Sequence, residues 1–266
     1  MTTLQVLICT HGRDGLERVK RQCLPAVDGV RYLVVCQAEK TEWPHGRDDL
    51  EIIFNDTIGL SNNRNRALKA ATAPYMLIAD DDVDYSAGGL AELVKRLNDS
   101  NVTDIITVRV TGSGSGHYPT DNQKLGLTLK RHYPPSFEIA LRTAAIRGAG
   151  LWFSPIMGIG APVLTSGEEN MFVDTALRRG LTASHHNVTI GHHNGASAQD
   201  RVPTAGELMS RGAVLRLCYR HTYLLRAIRL ALMLPTPTLR ALSEMRMGAK
   251  YALSHSAEIK APHPAD

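Results

Sequence analysis

The amino-acid sequence predicts an α/β fold, with a mostly parallel central sheet flanked by helices and a helical region at the C-terminal end. Two observations carry this prediction. Up to about residue 110, short apolar runs alternate with longer segments of helical periodicity, which is the order that builds a parallel sheet with helical crossovers. After about residue 200, strand-like runs cease and leucine, alanine and arginine dominate, which is typical of helices with one exposed face.

The individual elements follow from periodicity and from the residues that begin or end helices. Strands are expected at residues 4–10, 32–36, 51–54, 75–79 and 104–110. Helices are expected between them, at residues 14–24, 61–71 and 86–98. Pro74 ends the second of these helices, because proline has no backbone N–H to donate within a helix.

The elements beyond residue 110 are less regular. Residues 111–122 contain three glycines and a proline with little apolar content, so we expect a mobile loop that covers substrate. Strand-like patterns return at residues 137–141 and 151–156. A further helix is expected over residues 167–179, closed by Gly180.

Composition narrows the class of protein. The chain has 266 residues, of which 43% are hydrophobic and 21% charged, as in ordinary soluble domains. No apolar stretch reaches the roughly 20 residues that a membrane helix needs. The N-terminal residues lack a signal-peptide pattern, and the four cysteines are not closely paired, which suits reduced thiols. We therefore expect a cytoplasmic protein.

Basic residues concentrate in the last quarter of the chain, although the net charge is only +4. Residues 201–246 carry arginines spaced among leucines, alanines and tyrosines, with few acids. Two interpretations remain open. The arginines could simply face water while the leucines pack on the main domain, or the region could form a cationic amphipathic surface for anionic lipid. Because no basic stripe interleaved with aromatic residues is present, a nucleic-acid partner is not expected.

The strongest functional signal is the acidic cluster Asp80, Asp81 and Asp82, which directly follows the apolar run at residues 75–79. Ligands of parallel α/β sheets bind beyond the carboxyl ends of the strands. Three adjacent carboxylates repel one another, so a cation or a cluster of donors should lie opposite them. The alternative is a turn or a helix cap, in which aspartate is also common.

Polar residues also follow other predicted strands. Thr10, His11 and Arg13 come after the first strand, and Gln37 and Glu39 come after the second. Since the carboxyl ends of parallel strands meet at one sheet edge, these side chains are expected near the acidic cluster.

Two motifs, taken together, resemble those of family 2 glycosyltransferases. The first lies within residues 55–83 and the second begins at Gly167, Glu168 and Glu169; the resemblance covers roughly residues 4–195. The residues that carry it are Gly59, Ser61, Arg64, Asn65, Ala67, Leu68, the run Leu77 to Asp82, Gly167 to Glu169, Phe172, Arg178 and Gly180. The resemblance implies a Rossmann-like GT-A fold over residues 1–200, with a nucleotide half at about 1–110 and an acceptor half at about 111–200. Residues 201–266 would then form a basic helical appendage.

The resemblance also implies roles in donor binding. Asp80 and Asp81 would lie in the nucleotide-sugar site, and Asp82 would ligate Mn²⁺ or Mg²⁺, hard cations that prefer carboxylate and phosphate oxygens. His192 or His193 corresponds to a late histidine that completes the metal site in some relatives. The remaining expected nucleotide-sugar residues are Thr10, Arg13, Gln37 and Arg64.

Glu169 occupies the position of the family's catalytic base, where an aspartate is usual; Glu168 is the alternative. The implied activity is inverting transfer from a nucleoside-diphosphate sugar, with a UDP-sugar favoured, to a carbohydrate or lipid-linked acceptor hydroxyl. Family relatives commonly act in surface polysaccharide or glycolipid synthesis. The basic C-terminal helices could accordingly bring the protein to the inner face of a membrane.

Two other functions remain open at this point. A nucleotidyltransferase also uses strand-end carboxylates and metal, but it would release pyrophosphate and would not need Glu169 as a base. A non-catalytic module would bind a nucleotide sugar without turnover. The intact Asp80, Asp82 and Glu169 favour an enzyme over the binding module.

Overall fold

The computed structural model describes residues 3–40, 43, 46–98, 103–112, 118–127, 134–195 and 201–260. The chain forms two compact units. The first comprises Met1–Ile58, Asn63–Gly150 and Ala176–Gly195, and the second comprises Gly59–Asn62, Leu151–Thr175 and Ala196–Asp266.

The first unit is built on a sheet of nine strands within the described residues. The strands are β1 (Leu4–His11), β2 (Val30–Gln37), β3 (Leu50–Asn55), β4 (Tyr75–Asp80), β5 (Val83–Tyr85), β6 (Ile105–Thr111), β7 (Gln123–Leu125), β8 (Ile139–Arg142) and β9 (Ala183–His193). Their order is β3-β2-β1-β4-β8-β6-β9-β5, and β7 also pairs with β9.

Parallel pairing dominates the sheet. The β1–β2, β1–β4, β2–β3 and β6–β9 pairs are parallel and extend over six to eight residue pairs. Each antiparallel pairing, through β5, β7 or β8, extends over three. The expected α/β sheet is therefore confirmed, with antiparallel strands added on one side.

Helices follow the expected order. They are α1 (Gly12–Arg21), α2 (Leu60–Ala70), α3 (Ala87–Leu97), α4 (Thr143–Gly148), α5 (Glu168–Arg178), α6 (Ala205–Cys218), α7 (Tyr223–Met233), α8 (Thr238–Ser254) and α9 (Ser256–Lys260). The Ser86 side chain caps α3 by accepting from the Gly89 amide, which explains where that helix starts. None of the helices in the described ranges is long and apolar enough to cross a membrane.

The central strands are buried along their whole length, because helices of an α/β fold cover both sheet faces. In β1 every residue from Leu4 to Thr10 is buried, and only His11 at its carboxyl end is exposed. The leucines of α3 and α1 pack on this sheet in one apolar core. Thr10 and Asp80 lie at the carboxyl ends of the buried strands β1 and β4.

One expectation for the second half of the chain was wrong, and one strand there was not predicted. Residues 151–156 form no strand, although Leu151 and Phe153 are buried and Phe153 stacks on Phe172. An apolar run indicates that a segment is buried but not that its backbone pairs with a strand. A buried irregular segment is therefore wrongly predicted as a strand. Conversely, Ala183–His193 forms the long strand β9, which its histidines and polar residues concealed. Of the expected loop, residues 113–117 lie outside the described residues.

Asp104 joins the sheet to the start of β9. Its carboxylate accepts hydrogen bonds from the Thr182 amide and hydroxyl, both at 2.8 Å, and from Arg142. Burial opposes ionisation, but these donors outweigh it and hold the pKa of Asp104 below its ordinary value. The ionised carboxylate should therefore stabilise the first unit.

We expect Asp104→Asn to lower the free energy of unfolding by about 1 to 3 kcal/mol at pH 7, because charge-assisted hydrogen bonds are lost. The folded pKa lies below the unfolded value, so this stabilisation is complete above roughly pH 5 and disappears as the pH falls through the folded pKa. Urea unfolding at pH 7 and pH 3 measures both effects. An equal difference between wild type and variant at the two pH values would contradict this account.

Candidate active site

The acidic cluster lies where the parallel strands end. Asp80 is the last residue of β4, and Asp81 and Asp82 form the turn that leads into β5. The neighbouring strand places Cys9 opposite Asp80, so Thr10 is the next residue at the same edge. Of the strand-end residues expected near the acidic cluster, Thr10 contacts it through a hydrogen bond to Asp81.

Asp80 is held by a buried arginine. Arg64 of α2, whose side chain is only 2% exposed, donates from Nη2 to Asp80 Oδ1 at 3.1 Å. The same nitrogen contacts Ser136 Oγ at 2.7 Å, and Ser136 reaches Asp80 Oδ2 at 3.3 Å. A buried guanidinium needs a carboxylate partner, so Arg64 fixes the orientation of Asp80.

Asp81 is held by different donors. Arg18 of α1 binds its carboxylate with two parallel hydrogen bonds of 2.9 Å, and the Thr10 hydroxyl donates to the same group. The hydrogen bond to Asp81 raises the pKa of Arg18, as expected for a fork-like pair. Asp81 is thus neutralised by this chain's own side chains.

Asp82 lies in an environment of another kind. His193 Nε2 approaches its Oδ2 at 3.2 Å, while its buried Oδ1 has no hydrogen-bond partner among the described residues. Burial raises the pKa of Asp82; Asp80 and Asp81 raise it further, and His193 opposes the rise. A carboxylate that burial and like charges disfavour is suited to a cation. The residues present therefore fit a divalent metal, with substrate oxygens and water completing its coordination.

The two late histidines do not share a face, because successive side chains of a strand point to opposite sides. His193 lies opposite Val83 in the β5–β9 pair and stacks on Phe137, with ring centroids 4.9 Å apart. His192 instead contacts the Thr111 hydroxyl through Nδ1 at 2.9 Å. Only His193 of the pair reaches Asp82.

A clamp around the acidic turn was not expected from the sequence. Gln22, which follows α1, donates to the backbone carbonyls of Asp80, at 3.0 Å, and Val83. Asn194 donates its backbone N–H to the Asp82 carbonyl at 2.8 Å and its side-chain amide to Asp84 at 2.7 Å. These bonds fix the backbone of the turn. The sequence does not predict them, because Gln22 and Asn194 lie far from the acidic cluster along the chain.

The remaining predicted residues of this edge have structural partners or face solvent. Gln37, at the end of β2, is buried and donates its amide to the Thr57 carbonyl at 2.6 Å. Arg13 is exposed in the first turn of α1. Asn63, to which the sequence assigned no role, is 1% exposed and donates to the carbonyls of Thr10 and Val35. It ties together the ends of β1 and β2.

Glu168 and Glu169 belong to the second unit and begin α5. Glu168 is buried, and its carboxylate lies so close to Gly158 that a Cβ there would approach it within 3.1 Å. Glu169 is partly exposed. Gly167 has a positive φ of 83° and packs so tightly that a Cβ would contact Val214 of α6 at 2.8 Å. Glycine there permits the turn that starts α5 and brings it close to α6.

Comparison with known proteins agrees with this architecture. Residues 34–149 match the family described as "Glycosyl transferase family 2". This segment contains Arg64 and the acidic cluster and ends before Glu168. No curated protein matches the chain.

Solved structures of S. aureus TarS share the fold. The crystal structure of TarS 1–349 is 16% identical with a TM-score of 0.57, covering 96% of this chain and 73% of that one. The complex of TarS 1–349 with UDP-GlcNAc is 15% identical with the same TM-score, covering 96% and 74%. The complex with UDP is 16% identical with a TM-score of 0.56, covering 96% and 73%. These likenesses confirm the expected fold of the chain.

Proposed function

We propose that this chain moves a sugar from a nucleoside-diphosphate donor to an acceptor hydroxyl with a divalent cation, because residues 34–149 match the family described as "Glycosyl transferase family 2". The proposal rests on one structural observation: the three adjacent carboxylates have different partners. Arg64 binds Asp80 and Arg18 binds Asp81, whereas Asp82 keeps a buried oxygen without a hydrogen-bond partner among the described residues. A cation is the partner that this arrangement calls for.

The metal site would consist of Asp82 and His193. An imidazole is a reasonable ligand when neutral, and Asp82 Oδ2 and His193 Nε2 already face each other at 3.2 Å. Mn²⁺ and Mg²⁺ commonly take one or two protein ligands and fill the rest of their coordination with phosphate oxygens and water. When bound, the cation would offset the charge that develops on the departing diphosphate.

Asp80 and Asp81 would help to position the sugar donor. Arg64 and Ser136 hold Asp80, so its carboxylate can accept hydrogen bonds from a ribose without rearranging. Thr10 and Arg18 hold Asp81 beside it. We assign Arg64 to the positioning of Asp80 and not to direct contact with phosphate, because that side chain is only 2% exposed.

A uridine nucleotide is the first donor to test, since the related fold of TarS has been solved with UDP and with UDP-GlcNAc. Calorimetry with UDP, GDP and dTDP, each with and without Mn²⁺, would identify the base. We expect one nucleotide to bind at least about tenfold more tightly with the metal. Failure of all three to bind under either condition would refute the proposal.

The proposed catalytic base is Glu169. It would take the proton of the acceptor hydroxyl as that oxygen attacks the anomeric carbon, while the bond from carbon to the diphosphate oxygen breaks on the opposite face. Such a displacement inverts the anomeric configuration, which NMR of the first-formed product would determine. Release of pyrophosphate would instead indicate a nucleotidyltransferase. A nucleotide that binds without any turnover would indicate a binding module.

We expect Glu169→Gln to lower kcat by about 10² to 10⁴-fold, because the amide cannot accept the proton. Nucleotide affinity should stay within about twofold, since the base acts on the acceptor. Glu168→Gln is the matched control. That carboxyl is buried against Gly158, so its replacement should mainly affect stability. A large loss of kcat in the Glu168 variant with a stable, active Glu169 variant would reverse the assignment.

The acceptor is proposed to be a carbohydrate or lipid-linked hydroxyl, in surface polysaccharide or glycolipid synthesis. Gln37 and Arg13 remain proposed donor-site residues. The amide of Gln37 donates to the Thr57 carbonyl. Gln37 would therefore act by holding the segment around Thr57, between β3 and α2, near the nucleotide.

A further inference from the structure

Helix α7 exposes most of its large apolar side chains and buries its alanines. Leu225 and Leu232 are 72% and 70% exposed, whereas Ala227 and Ala231 are 2% and 1% exposed. A helix of a soluble domain ordinarily turns its large apolar residues inward. In α7 the alanines provide the packing face instead, within a cluster that contains Met245 of α8.

The exposed residues form one continuous face. Leu224, Leu225, Ile228 and Leu232 are 39% to 72% exposed. At about 100° per residue they occupy an arc of roughly 100° on α7. We call these four residues the leucine face. Leu239, at the start of α8, is also 83% exposed.

The leucine face lies in a strongly basic part of the sequence. Residues 208–243 contain no aspartate, glutamate or lysine and six arginines. Arg229 of α7 and Arg240 of α8 are both exposed. Arg226 lies over the Tyr219 ring, with its guanidinium carbon 3.8 Å from the centroid. An apolar face bordered by arginine without acids is complementary to an anionic lipid surface.

We infer that the leucine face of α7 inserts into the interface of an anionic bilayer, with Arg229 and Arg240 at the level of the headgroups. A second copy of this chain is the less suitable occupant, because it would bring like-charged arginine borders together. This inference does not depend on the nature of the sugar transfer. It places the second unit of the protein at a membrane surface.

Co-sedimentation of the full chain with vesicles tests the inference. Vesicles of phosphatidylcholine alone should bind little protein, whereas vesicles containing phosphatidylglycerol should bind at least about tenfold more. The double variant Leu225→Glu, Leu232→Glu should lose at least about tenfold of this binding. Leu253→Glu is the matched control, because Leu253 is 50% exposed outside α7, and it should bind like the wild type.

Further measurements test the contribution of the arginines and distinguish membrane binding from self-association. Arg229→Gln and Arg240→Gln should each weaken binding to the anionic vesicles by about fivefold and reduce its dependence on salt. Thermal unfolding should show that all variants remain folded. Equal binding of the wild type and the double variant would overturn the inference. A wild-type dimer that the double variant converts to monomer, without vesicle binding by either, would also overturn it and assign the face to self-association.

Discussion

Replacing Asp82 by asparagine is expected to lower kcat/KM for sugar transfer at least about a thousandfold. The substitution preserves the size of the side chain but removes the charge that a cation would require. The Mn²⁺-dependent part of nucleotide binding should disappear in the same variant. Calorimetry of the nucleotide identified for the wild type, with and without Mn²⁺, measures this directly, and initial rates with the matching sugar donor measure the loss of transfer.

The Asp82 variant should fold at least as well as the wild type. Burial and the neighbouring acids already raise the pKa of Asp82, so neutralising it relieves repulsion from Asp80 and Asp81. Asp28→Asn is a suitable control, because Asp28 is an exposed acid at the opposite, amino-terminal end of β2, and it should leave both activity and binding unchanged. Normal activity of the Asp82 variant would contradict the proposed role of Asp82 as a metal ligand.

Replacing Gly248 by alanine is expected to lower the free energy of unfolding by about 2 to 4 kcal/mol. A Cβ at Gly248 of α8 would lie far closer than 3.0 Å to the Met209 carbonyl oxygen of α6. Gly212 of α6 meets the Met245 carbonyl oxygen in the same way. Because backbone opposes backbone at both positions, the helices would have to separate. Thermal unfolding should show a decrease of roughly 5 to 15 °C.

The sign of this effect makes it informative. In an isolated helix, alanine is more favourable than glycine by about 1 kcal/mol, so a loss can come only from packing. Gly88→Ala in α3 is the matched control: no atom lies within 4 Å of the built Cβ, and a small gain in stability is expected. If Gly248→Ala were also stabilising, the close approach of α6 and α8 would be wrong.

The sequence contains a pattern that fits this helix contact. Both helices contain methionine followed three residues later by glycine, Met209 with Gly212 and Met245 with Gly248. Residues three apart share a helix face, so each pair places a small residue beside a larger one. Two such pairs on antiparallel helices can interlock, but a pair of glycines does not reveal which helices meet.

For the acidic cluster, the sequence predicted the position in the fold but not the partner of each carboxylate. An apolar run ending in three carboxylates predicted a strand end with ligand chemistry, and Asp80 does end β4. The fate of each carboxylate was not predictable. Arg18 and Arg64 come from two different helices and select Asp81 and Asp80, while His193 reaches Asp82. Contacts between residues 16 to 111 positions apart depend on how the chain packs.

Periodicity and composition were enough to predict the alternation of strands and helices, the polar strand ends and the basic, acid-poor C-terminal helices, because both act locally along the chain. Which of the three carboxylates keeps a buried oxygen without a hydrogen-bond partner among the described residues follows from three-dimensional packing, in which β9 pairs with β5 and brings His193 to Asp82. The same packing buries Ala227 and Ala231 of α7 and leaves Leu225 and Leu232 exposed. Which face of a helix is buried depends on the elements that pack against it, and the periodicity of the helix does not specify those elements.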